Sequence, residues 1–274
     1  MDRAAFFDRL DEELRTDAYA DIDASPNGLQ VGRREGDLET VAFAVDAAEA
    51  TIDAAIDAGG HESRSDSLAS QNAPRSGDAD VLVTHHGLVW GGLDRVTGRE
   101  YDRIEPLVKN DVSLYVSHLP LDGHPTLGNA AGLADLLDLS ARESFGEIGT
   151  ETVGLLGERD DPIRVGALSE LLADELETGG EGVQTLAFGP EEVERVAVLT
   201  GSGVDWLDEA VAAGADALIT GEGKQQVYHE AREAGINVLL AGHYATETFG
   251  VRSLAALAEE WGLETVFVDH PTGL

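Results

Sequence analysis

Residues Val41 to Gly59, VAFAVDAAEATIDAAIDAG, align without a gap on residues Val196 to Gly214, VAVLTGSGVDWLDEAVAAG. Each copy reads as an apolar strand, a turn, and a helix with alanines and aliphatics on one face and acids on the other. Glycine closes each copy, where a helix C-terminal cap belongs. The match continues from ADVLVT (Ala79 to Thr84) to ADALIT (Ala215 to Thr220), provided that Gly60 to Asp78 is an insertion. That segment, GHESRSDSLASQNAPRSGD, has the composition of a solvated loop. A further strand follows in each half, VSLYVSHLPLD (Val112 to Asp122) and INVLLAGHYATE (Ile236 to Glu247), and both end in His-x-x-x-carboxylate. His118 thus pairs with Asp122, and His243 with Glu247. The repeat predicts an α/β fold of two related lobes with an internal pseudo-repeat. Residues 1–125 and 236–274 are expected to form the first lobe and 126–235 the second, with a metal site between them.

Ligands of α/β sheets gather beyond the carboxyl ends of strands, where loops converge. His85 and His86, in VLVTHHGLVWGG, stand at such an end. Neighbours on a strand face opposite ways, but where the strand runs out into His-His-Gly the alternation relaxes and both rings can turn to one site. Asp122 also follows a strand, and His243 and Glu247, four residues apart, share one face of a first helical turn. Three imidazoles and two carboxylates exceed the three protein ligands of a single catalytic zinc. The expectation is therefore two divalent ions about 3.5 to 4 Å apart, bridged by carboxylate. The chain has no cysteine, so the ligands are N and O donors, which suit Zn, Fe, Mn, Co or Ni. His118 is read as a further ligand, a partner behind a ligand or a proton donor beside the ions, and of these proton transfer is the preferred role. His61, His124, His229 and His270 are expected to be solvated or hydrogen-bonded, and Trp90 and Trp206 to pack or stack. TGSG (Thr200 to Gly203) and TGEG (Thr220 to Gly223) lack the spacing of a P-loop or a dinucleotide fingerprint and read as structural turns.

SPNGLQVG near the start, VTHHGLVWGG, VSHLPLD and GHYATETFG occur in an order that resembles the Ngg-interacting-factor-like dinuclear metal centre proteins, also known as GTP cyclohydrolase I type 2 homologues. The resemblance covers essentially the whole chain. It implies two-lobed α/β subunits in a toroidal homohexamer, with two metal ions per subunit held by His85, His86, Asp122, His243 and Glu247. It also implies a metal-dependent hydrolase acting on a nucleotide, in which an activated water opens the guanine imidazole ring of GTP and formate leaves. The alternative is a non-catalytic metal-binding or scaffold ring. Two features depart from the family pattern: the loop after Gly59 is longer, and the segment around Pro190 is too short for the additional domain of longer members.

Composition narrows the classes further. The 274 residues include 53 acidic and 18 basic side chains, a formal charge of −35, and Lys109 and Lys224 are the only lysines. Such a surface repels nucleic acid phosphates, so a nucleic-acid-binding ring is disfavoured. No run approaches the ~18 apolar residues of a membrane span, and the start, MDRAAFFDRLDEELRTDAYADI, reads as an acidic amphipathic helix rather than a leader. A cytoplasmic location is expected. Self-repulsion on this scale opposes compaction in dilute buffer, whereas molar salt cuts the screening length to ~3 Å. The charge is read as adaptation to a salt-rich cytoplasm. Stepwise dialysis below about molar salt, followed by circular dichroism and sedimentation, should show unfolding or dissociation; full stability in dilute buffer would remove the reading.

Overall fold

Continuous apolar runs make strands buried on both faces, the pattern of a parallel sheet. The computed structural model describes residues 1–57 and 79–274. The insertion Gly60 to Asp78, His61 within it and the Gly59 cap lie outside the described residues. In chain order the strands are β1 (Gly28–Val31), β2 (Thr40–Asp46), β3 (Val81–His86), β4 (Ser113–Val116), β5 (Leu139–Ile148) and β6 (Glu151–Arg164). They continue with β7 (Gln184–Leu186), β8 (Glu192–Val198), β9 (Ala217–Thr220), β10 (Asn237–Leu240) and β11 (Glu264–Phe267). One sheet has the order β1-β4-β3-β2-β11 and the other β5-β6-β8-β9-β10-β7.

The chain divides into two compact units. The first comprises Met1–His118 and Val251–His270, the second Leu119–Gly250 and Pro271–Leu274. The strand β10, expected in the first lobe, instead pairs in parallel with β9 of the second sheet, and so carries His243 and Glu247 into the second unit. In the first unit the helix Arg3–Glu13, capped by the Asp2 side chain, buries Phe6, Phe7 and Leu10. Phe7 stacks on Tyr115 of β4, and Phe6 stands nearly edge-on to Trp261. Ala42, Ala44, Ile52, Leu82 and Leu114 are central to an adjoining core. In the second unit Leu133, Leu168, Leu172, Val196, Ile219 and Leu239 belong to one core. Among the described residues no helix is long and apolar enough to cross a membrane.

The pseudo-repeat is present in the hydrogen bonding. In the first unit β2, β3 and β4 run parallel, and β1 closes the far edge antiparallel. In the second, β8, β9 and β10 run parallel, and β7 closes the edge antiparallel. Just before β3, Asp80 Oδ2 accepts the amides of Glu39 and Thr40 at 2.8 and 3.0 Å. Just before β9, Asp216 Oδ2 accepts those of Glu194 and Arg195 at 3.0 and 2.9 Å. One correction concerns the third strand. Val81 pairs with Ser113, and its counterpart Ala217 pairs with Asn237, so His118 corresponds to Gly242 and not to His243. The two His-x-x-x-carboxylate spacings are therefore one residue out of structural register.

These two aspartates staple adjacent strand ends in each unit through charge-assisted hydrogen bonds. Replacing Asp216 with Ala should lower unfolding stability in molar salt by about 1 kcal/mol, since one partly buried and one exposed amide lose their acceptor. Asp80→Ala should cost at least as much, because the buried Arg3 also lies 3.6 Å from the Asp80 carboxylate. Denaturant melts of both variants check this.

Candidate metal centre

In the first unit, β3 ends at the paired histidines. His85 is fully buried, and its Nδ1 lies 2.9 Å from the Ser117 carbonyl oxygen. A carbonyl only accepts, so Nδ1 carries the proton and Nε2 keeps the lone pair that a metal needs. His86 Nδ1 lies 2.8 Å from Asp46 Oδ1, and His118 Nδ1 lies 2.8 Å from Asp23 Oδ1. A carboxylate behind an imidazole fixes its tautomer and raises its basicity toward a metal. One nitrogen of each of the three rings lies within 4.8 Å of the other two. Ring centroids are 4.6 Å apart for His85 and His86, 5.1 Å for His85 and His118, and 5.7 Å for His86 and His118. The two neighbouring rings meet at the end of β3 while both histidines still belong to the strand.

The SPNGLQVG segment holds this cluster from behind. Asn27 Oδ1 accepts the His118 amide at 2.7 Å, while Asn27 Nδ2 and the Ser25 amide both donate to Asp23. Burial raises the cost of ionising Asp23, but His118, Asn27 and Ser25 outweigh it and hold the carboxyl below its usual range. Gln30 Oε1 accepts the amides of Leu88 and Val89. A Cβ on Gly87 would meet the Gln30 amide, so a larger residue there would displace the group that accepts the Leu88 and Val89 amides.

In the second unit, Asp122 sits on the short helix Leu119–Gly123, buried, accepting from Asn129 Nδ2 at 2.9 Å and from the Thr200 hydroxyl at 3.2 Å. A helical turn starts at His243 itself, and the helix resumes at Thr248 after a break at Glu247. His243 Nε2 lies 3.2 Å from Glu247 Oε2, and its Nδ1 lies 3.2 Å from Glu222 Oε1. A carboxylate oxygen of Asp122 lies within 4.8 Å of one of Glu247. Burial disfavours the His243 cation, yet Glu247 and Glu222 on either side push its pKa up to about 9. The Ser202 hydroxyl, ahead of opposing burial, and then His243 hold Glu222 below its usual range.

The glycine turns are structural, as expected. The amides of Gly221 and Glu222 both donate to the Gly201 carbonyl, and the amides of Gly201 and Gly203 go to Thr246 and Thr220 hydroxyls. Those donors are spent within the fold. Gly201 has a left-handed φ of 59°, and a Cβ there would meet Glu247 Oε1 at 2.2 Å. Among the remaining candidates, His124 Nδ1 caps the Leu127 amide, His229 stands edge-on to Tyr228, and Trp206 donates to the Glu147 carbonyl. Asp23, Asp46 and Glu222 are the site residues that sequence reasoning missed. A carboxylate ending the apolar strand VAFAVD was the one available signal for Asp46.

The model of DUF34/NIF3 (NGG1p interacting factor 3) matches residues 1–61 and 68–273. This chain belongs to that family. A Halobacterium salinarum protein named GTP cyclohydrolase 1 type 2 homolog is 54% identical over the whole of both chains. An Escherichia coli protein of the same name is 37% identical over 96% of this chain and 95% of its own. Among solved structures, the "protein ybgI, unknown function" superposes with a TM-score of 0.84 at 33% identity, and Thermus thermophilus TTHA1606 with 0.82 at 36%. Both cover all of this chain and all of their own.

The donor chemistry fits divalent metal: His85 and His86, each backed by an acceptor, in the first unit, and a histidine flanked by carboxylates in the second. Because the His243 pKa is raised from 6.5 to about 9, its ion pairs stabilise the fold fully below pH 6.5, and that contribution is lost as pH rises through 9. A metal at His243 must displace the proton. Calorimetric metal titration of chelator-treated protein at about pH 7.5, in buffers of different ionisation enthalpy, should therefore show about one proton more released per chain by wild type than by His243→Asn. Equal release by the two would mean that His243 is not a ligand.

Proposed function

We propose that this protein is a metal-dependent hydrolase that acts on a purine nucleotide, with GTP as the first substrate to test. His85, His86, Asp122, His243 and Glu247 would hold two divalent ions. The observation that carries the reading is the orientation of His85 and His86: a carbonyl and a carboxylate each engage Nδ1, which assigns metal binding to Nε2 of both rings. The relatives' shared name supports the choice of GTP. Divalent ions held by such residues supply Lewis acidity toward water and toward a substrate heteroatom. Five donors including two carboxylates suffice for two ions, so His118 is left to move protons. Its Nδ1–Asp23 hydrogen bond holds the ring in orientation and would stabilise the imidazolium formed when Nε2 takes a proton. In the reaction, water cleaves the two bonds from nitrogen to the imidazole carbon of guanine, and that carbon departs as formate. The homohexameric ring belongs to the same proposal, as do the salt-rich cytoplasmic setting and the absence of a nucleic acid partner.

Elemental analysis of protein purified in molar salt should find about two metal ions per chain, diminished in His86→Ala and Glu247→Gln. His118→Asn should keep the metal and slow formate release from GTP by about 100-fold or more. Metal with no action on GTP or related nucleotides would remove the substrate and favour storage or a scaffold. No metal, and none taken up on addition, would end the reading. Sedimentation should give a particle about six times the mass of the chain.

A further inference from the structure

The loop that follows the paired histidines contains an aromatic side chain that packs beside them yet keeps much of its surface exposed. Trp90 is 47% exposed, although an indole contributes most when buried. It is nevertheless held in place. Its Nε1 donates to the Gly87 carbonyl at 3.2 Å. Gln30 accepts the two amides just before it, and the Gly91 amide just after it donates to the Ala24 carbonyl at 2.9 Å. The indole stands nearly perpendicular to the His118 ring at 5.1 Å between centroids, and 6.0 Å from the His86 ring.

An exposed indole that is oriented by its own N–H, on a backbone pinned on both sides, loses little conformational entropy when a flat ring stacks on it. The indole is in contact with the rings of the histidine cluster, so a flat ring stacked on its exposed surface would lie beside that cluster. We propose that Trp90 is the stacking platform for the purine base of the ligand, a residue that binds the base beside the histidine cluster. The proposal rests on the nucleotide reading of the site and adds how the base is held. Stacking is tolerant of base identity, so Trp90 holds the base and the choice of guanine falls to other groups. Leu93 and Val96, further along the same loop, are also exposed, which makes burial against a second copy of the chain the competing use of this surface.

The test is titration of the metal-containing protein, as purified in molar salt, with GTP, ATP and inorganic tripolyphosphate, followed by tryptophan emission and by calorimetry. Wild type, Trp90→Phe, Trp90→Ala and the control Trp206→Phe are compared, with metal content and sedimentation measured for each. GTP and ATP should quench emission in wild type and in Trp206→Phe. Trp90→Ala should abolish the quench and weaken both nucleotides about tenfold or more, Trp90→Phe should retain most of the affinity, and tripolyphosphate binding should not change. Equal nucleotide affinity in Trp90→Ala, or a wild type that binds neither nucleotide, overturns the proposal. So does a Trp90→Ala variant whose only change is dissociation into smaller particles. Trp90-dependent binding without formate release would leave the platform standing and remove the hydrolase reading.

Discussion

Parallel register is the constraint on which the site in the first unit depends. β2 and β3 pair so that Asp46 stands beside His86, and β3 and β4 pair so that Thr84 stands beside Val116. The next step along each strand brings the Ser117 carbonyl to His85. A slip of one residue in β3 would exchange the faces of both histidines and separate each from its acceptor. Fully buried residues such as Leu82, Val83 and Leu114 hold that register, because both faces of these strands are covered. The chemistry at the strand ends is thus set by apolar packing further down the same strands.

Imidazoles and carboxylates are handled differently in the two units. In the first, acceptors behind the rings settle which nitrogen carries the proton, and the acceptors themselves are tied down: Asp23 takes hydrogen bonds from His118, Asn27 and Ser25. In the second, His243 lies between Glu222 and Glu247 and holds a proton that partly balances two negative charges. That proton and a divalent cation answer the same electrostatic need. A metal ion bound there would take the place of that proton beside Glu247.

The pseudo-repeat and the ligand candidates were legible because each rests on short-range pattern. Apolar strands and glycine turns mark the parallel cores, and histidines beside glycine at a strand end mark the place where side chains converge. The one-residue offset between His118 and His243 was not legible, since sequence spacing carries no information on which residue of β4 or β10 first pairs with its neighbour. Nor was the assignment of β10 to the second unit, which depends on its parallel pairing with β9 and antiparallel pairing with β7. The long β5–β6 hairpin was also missed: much of Leu139–Ile148 is exposed and β6 ends in the charged run ERDDPIR, so alternation is weak. Asp23 escaped because a loop carboxylate in an acidic chain has no distinguishing mark until His118 is seen against it.

The charge of −35 and the proposed anionic ligand conflict if the whole protein's field acts over distance. In dilute buffer an acidic surface would repel a triphosphate well before contact. In molar salt the screening length falls to ~3 Å, and the surface charge no longer reaches the approaching molecule. Binding is then decided by groups in contact with it. Metal ions held by a few carboxylates present local positive charge, and an indole offers stacking, which salt does not screen. An acidic surface and a nucleotide site are therefore compatible at high salt, because the long-range repulsion is removed while the contact terms remain.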